Sequence, residues 1–120
     1  MKATIGILSE ELARKRMIRI AEGKVTSKEP YPQFLFESLA VLSQLLSNEN
    51  VELLNLIARE KPNSLDELAE KSGRSIKDVT DTFEALSSKG FAYIETKGGQ
   101  SRPIALFTTF EIVMSRSLLL

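Results

Sequence analysis

A chain of 120 residues with 42% hydrophobic side chains can bury one core and is short for two typical domains. It has no cysteine and no histidine, which excludes disulfides, thiolate or imidazole metal sites, and every catalytic arrangement built on a histidine base. Sixteen basic and sixteen acidic residues cancel, so any charged partner must be met by local patches: residues 1–30 hold seven basic against four acidic side chains, 31–70 two against seven, and 71–120 seven against five.

In chain order, Lys2 to Leu8 alternates loosely and predicts a short strand. Ser9 is placed to cap a helix over Glu10 to Ala21. Its Arg14, Lys15, Arg16 and Arg19 cluster within about two turns, which fits contact with a DNA backbone or acidic partner and equally a solvated face. Gly23 to Pro32, containing Ser27, Pro30 and Pro32, reads as a linker that closes an N-terminal arm spanning 1–30.

The next predicted helix runs from Pro32 to Leu46 and is apolar on more than one face. A helix packed only on its own domain needs one stripe. The surplus, carried by Phe34, Leu35, Leu39, Leu42 and Leu46, predicts an interface with the same helix of a second subunit in a homodimer. The alternative is a central helix enclosed by its own chain. A further helix from Asn48 or Glu49 to Arg59 turns Val51, Leu54 and Ile57 to the core, and Lys61-Pro62-Asn63 breaks the chain after it.

Two capped helices follow. Ser64-Leu65-Asp66-Glu67 has the spacing in which a serine hydroxyl accepts a free backbone N–H and the glutamate three residues on reaches back. Leu65, Leu68 and Ala69 give that helix one apolar face, and Gly73 stops it. Ser75 opens the second helix, with Asp78 in the equivalent position and a carboxylate near the helix N-terminus. Ile76, Val79, Phe83 and Leu86 fall on one side and are expected in the core. Lys77, Asp78, Thr80, Asp81 and Glu84 then point outward. Phe91 to Thr96 predicts a strand, Lys97-Gly98-Gly99-Gln100 a turn, and Pro103 to Phe107 the returning strand. Phe110 to Met114 is short and β-prone. It is expected to pair with the opening strand, within one subunit or across two, and residues 116–120 form a tail.

In this order, Phe36-Glu37-Ser38-Leu39, Leu53-Leu54-Asn55-Leu56-Ile57, Ser64-Leu65-Asp66-Glu67-Leu68-Ala69, Gly73-Arg74-Ser75 with Val79, Leu86-Ser87-Ser88-Lys89-Gly90-Phe91, Arg102-Pro103 and Phe110 to Met114 resemble the MarR-like winged helix-turn-helix regulators. They are most similar to a small prokaryotic group of DNA-binding proteins that includes transcriptional regulators and antitoxins encoded beside a toxin gene. The resemblance implies a mainly α fold with a small β component (α+β), a winged helix-turn-helix body over 31–115, and a dimer whose second capped helices enter successive major grooves of double-stranded DNA. It also implies a repressor, or an antitoxin that binds its toxin and represses its own operon.

In that arrangement Lys77, Thr80 and Asp81 are the candidates for base edges, Ser75 for a phosphate, and Arg74, Lys97 and Arg102 for the backbone. Asp78, Asp81 and Glu84 make the reading face acidic, so the alternative is a winged helix that binds another protein. No enzymatic activity, cofactor or metal is expected, because no nucleophile is set beside a base. No apolar run approaches the roughly 20 residues of a membrane span, so a cytoplasmic protein with no membrane partner is expected.

Overall fold

A computed structural model describes residues 1–23 and 32–114. Most of the expected linker and the whole of the expected tail lie outside these residues. The described chain is mixed α and β, in agreement with the α+β class, and falls into two compact units. One is formed by Leu45–Thr109 together with Met1, the other by Lys2–Gln44 and the residues after Thr109. The division therefore falls at Gln44 and Thr109 rather than at residue 30.

In the second of these units, strand β1 (Lys2–Ile7) leads into helix α1 (Glu10–Ala21), and strand β2 (Phe34–Phe36) returns parallel to β1 with Ile5 opposite Phe34 and Ile7 opposite Phe36. A parallel return requires a long crossover, which α1 begins. Strand β5 (Thr109–Val113) completes the sheet on the other side of β1, in the order β2-β1-β5. The pairing expected for the last strand is thus made within one chain. Lys2 Nζ and Glu111 Oε2 meet at 3.1 Å across it. Ala3, Ile5, Leu8 and Phe36 are buried on this sheet.

The helix expected from Pro32 to Leu46 is not formed as such. Phe34 and Leu35 belong to β2, and helix α2 covers only Leu39–Leu45, leaving Leu46 beyond its end. Ser38 sets the start, its Oγ accepting the N–H of Val41 at 3.2 Å. The apolar excess arises because a short strand and a short helix, each burying part of its apolar residues, run together in the sequence. Phe36 and Leu42 go inward, and Leu35, Leu39 and Val41 stay exposed.

In the unit formed by 45–109, helix α3 (Asn48–Glu60) is capped by Ser47 and buries Leu53, Leu54 and Ile57. Val51, expected in the core, is only half-buried. Helix α4 (Leu65–Ser72), helix α5 (Ile76–Ser88) and the antiparallel strands β3 (Ala92–Lys97) and β4 (Gln100–Ala105) follow. Leu68, Val79, Phe83, Leu86 and Phe91 fill the centre, with Phe107 edge-on to Phe91 at 6.5 Å between ring centroids. Among the described residues, no helix is long and apolar enough to cross a membrane.

Candidate nucleic-acid interface

Helix α4 begins where its sequence says it must. Ser64 Oγ accepts the N–H of Glu67 at 3.0 Å, and the Glu67 carboxylate reaches back to the N–H of Asn63, one residue before the expected donor. It ends in a reciprocal pair of bonds, Arg74 N–H to Ala69 O and Gly73 N–H to Glu70 O, with Gly73 at φ +72°. An added Cβ at Gly73 would meet nothing within 4 Å. Gly73→Ala should therefore cost about 1 kcal/mol through the left-handed backbone alone, a loss that chemical denaturation resolves.

Ser75 Oγ accepts the N–H of Asp78 at 3.1 Å and starts α5 after a turn of three residues. Val79, Phe83 and Leu86 are buried as expected, but Ile76 is 45% exposed. The stripe fails at its first residue because a helical side chain leans back toward the N-terminus, here past the end of the packed face and over the turn. Lys77, Asp81 and Glu84 are exposed, and Thr80 is half-buried.

The outward residues are engaged with each other. Lys77 Nζ lies 3.0 Å from Asp81 Oδ2, and this hydrogen bond, with the carboxylate's charge, raises the Lys77 pKa above its ordinary value. Arg74 Nε donates to Asp78 Oδ2 at 2.6 Å, which holds the Asp78 carboxyl below the usual range. The carboxylate in the capping-box position thus serves the arginine. Arg74 also donates from Nη2 to Thr82 Oγ1 at 2.8 Å and from Nη1 to Asn50 Oδ1 at 3.4 Å. Sequence spacing reveals the Arg74–Asp78 pair, one turn apart, but gives no sign of Thr82 or Asn50.

At the hairpin, Gly98 and Gly99 have φ of +60° and +80°, the geometry of a two-residue turn whose twist matches the strands it joins. Lys97 stands at this tip opposite Gln100, exposed and without an ion pair among the described residues. Arg102 is lower on the hairpin, opposite Glu95, and bonds its carboxylate at 2.6 Å. Leu106 N–H bonds Phe91 O at the root of the hairpin, so hydrogen-bonded and open pairs alternate from there. Pro103, opposite Ile94, then falls in an open pair, where a backbone N–H would face away from β3. The missing donor blunts that edge of β4.

The elements expected to meet DNA, α4, α5 and the β3–β4 hairpin, thus lie in one unit. Ser75, Lys77 and Thr80 share the start of α5, and Lys97 is carried by the hairpin tip. The residues offered as a dimer interface, Phe34, Leu35, Leu39 and Leu42, belong to the other unit, and Leu46 does not. Among the described residues, no three acidic side chains gather to hold a metal ion. No curated protein matches the chain. The model of the HVO_A0114 family matches residues 45–112, a stretch that nearly coincides with the unit carrying α3 to β4. Since the match covers more than half of the sequence, the chain belongs to the HVO_A0114 family.

Proposed function

We propose that the chain is a winged helix-turn-helix, sequence-specific DNA-binding transcriptional regulator that works as a homodimer. The observation that carries this reading is the succession, in one unit, of two serine-capped helices joined through Gly73 and a hairpin tipped by Gly98-Gly99. In such an arrangement the second helix enters the major groove by its N-terminal half, which here offers Ser75, Lys77, Thr80 and Asp81, and the hairpin lies along the backbone. Lys97, exposed and uncommitted, is the phosphate contact of the wing. Arg102 meets phosphate only by exchanging Glu95 for it. Exposed pairs such as Lys77–Asp81 add little stability, so a phosphate or base edge displaces them readily. Leu35, Leu39 and Val41, exposed in the other unit, support self-association.

A second reading is favoured by its own observation: Arg74, Lys77 and Arg102 each already hold a carboxylate, and Ile76, next to Lys77 at the start of α5, stands exposed. A face with few uncommitted cations and an apolar side chain suits a protein partner.

Salt dependence separates the two. The selected duplex should bind with an affinity that falls steeply as salt rises, and Lys97→Ala should weaken all duplexes alike while lowering the slope by about 0.9. Lys77→Ala with Thr80→Ala should cut the preference for the selected sequence about ten- to a hundredfold per lost base contact, with a smaller loss on random DNA. A protein from which no sequence can be selected, and whose residual binding ignores salt, fits the second reading alone.

A further inference from the structure

Resting on the DNA-binding reading, we propose that Arg74 is the positioning residue of the recognition helix: its guanidinium fixes α5 against α3 and makes no phosphate contact. The side chain starts from a backbone position already locked by the bond from Arg74 N–H to Ala69 O that closes α4. From there the fork spreads over two elements, α5 and α3. Nε and Nη2 take Asp78 Oδ2 and Thr82 Oγ1, two residues four apart and therefore stacked one turn above the other on the same side of α5. Nη1 takes Asn50 Oδ1 on α3. Asn50 is itself held at two points: its Nδ2 donates to Leu45 O at 2.9 Å and its N–H to Ser47 Oγ at 3.2 Å. The acceptor on α3 is thus fixed before the arginine reaches it.

Two features set this arginine apart from a phosphate ligand. Its side chain is only 21% exposed, against 87% for Lys77. Three of its N–H directions are spent inside the unit, on Asp78, Thr82 and Asn50. A planar fork with donors in several fixed directions can serve Asn50, Asp78 and Thr82 together, whereas a lysine ammonium is a single point charge on a flexible stem. The consequence for the site is direct. The tilt of α5 decides where Lys77 and Thr80 point, and displacements of about 1 Å are enough to spoil a site held by its supporting residues.

The test compares Arg74→Lys, Arg74→Ala and Thr82→Val. Thr82→Val keeps size and charge and removes one acceptor, so it remains informative if Arg74→Ala fails to fold. Binding to the selected duplex and to random duplex is measured by fluorescence anisotropy across a potassium chloride series, and backbone amide and Asn50 side-chain resonances are recorded without DNA. Positioning predicts that Arg74→Lys loses the preference for the selected duplex about tenfold despite its retained charge, that Thr82→Val loses part of it, and that every salt slope stays at the wild-type value. It also predicts that α5 and Asn50 resonances shift in both variants. A phosphate ligand gives the opposite pattern. Arg74→Ala then lowers the slope by about 0.9 and weakens all sequences alike, Arg74→Lys restores both, and Thr82→Val is silent. That result overturns the proposal, as do unchanged α5 and Asn50 resonances in Arg74→Lys and Thr82→Val. If wild-type protein prefers no duplex while the resonances shift, the bracing by Arg74 stands and the DNA-binding reading is what fails.

Discussion

Phe83→Ala should destabilise the unit formed by 45–109 by about 3–5 kcal/mol, the usual cost of emptying an aromatic site in a packed core. Phe83 is buried at the middle of α5, between Val79 and Leu86, so the vacated space has walls on every side. A loss of that size takes most of the stability of a small domain and should leave the variant largely unfolded at 37 °C. Ile76→Ala, about two helical turns earlier on the same stripe, should change stability by no more than about 0.5 kcal/mol, because its side chain is 45% exposed. Guanidinium denaturation of the two variants makes the comparison. Equal losses would mean that α5 packs along its whole length and that the start of the helix is not presented outward.

Leu42→Asp and Leu39→Asp should part in the same way in the other unit. Leu42 is 1% exposed, and an unpaired carboxylate in its place costs several kcal/mol, enough to unfold the surrounding structure. Leu39, at 44% exposure, can carry the charge without loss of fold. Sedimentation of wild-type protein should show two chains per particle at micromolar concentration, and Leu39→Asp should shift it toward one chain with an unaltered circular dichroism spectrum. A monodisperse wild-type monomer would remove the homodimer from the proposal while leaving the DNA contacts of a single subunit testable.

What could be read from the sequence was local chemistry. Ser64, Ser75 and Gly73 mark α4 and α5 because caps satisfy backbone groups within three or four residues of themselves. Gly98-Gly99 marks the hairpin for the same reason. The local pattern misleads where the deciding contact is distant. Phe34-Leu35-Phe36 looks like part of a helix until β1, about thirty residues earlier, is laid beside it. The run of apolar residues around it has no period of its own that separates strand from buried helix. One local signal is present: Ser38, three residues before Val41, is placed to cap a helix that starts at Leu39. The candidate site divides similarly. Lys77 and Asp81 are visible as a helical pair four residues apart, whereas Arg74 lies in the turn before α5 and only its spacing from Asp78 hints at a pair. The reach of Arg74 to Asn50, twenty-four residues away, has no counterpart in the local pattern.

The position of β5 has a consequence for how the chain acquires its structure. Its sheet is begun by the first strand and completed only by residues from Thr109 onward, so Lys2 and Glu111, partners in one ion pair, are separated by 109 positions. The stretch carrying α3 to β4 is, by contrast, nearly self-contained in sequence. On a ribosome moving from the amino end, that stretch emerges whole and can collapse while β1 still waits for its second neighbour. β1 can pair with β2 before the middle is made, but its other edge can be covered only after the whole of 45–109 has been synthesised. Until β5 pairs with it, that edge of β1 is open to a strand of another chain.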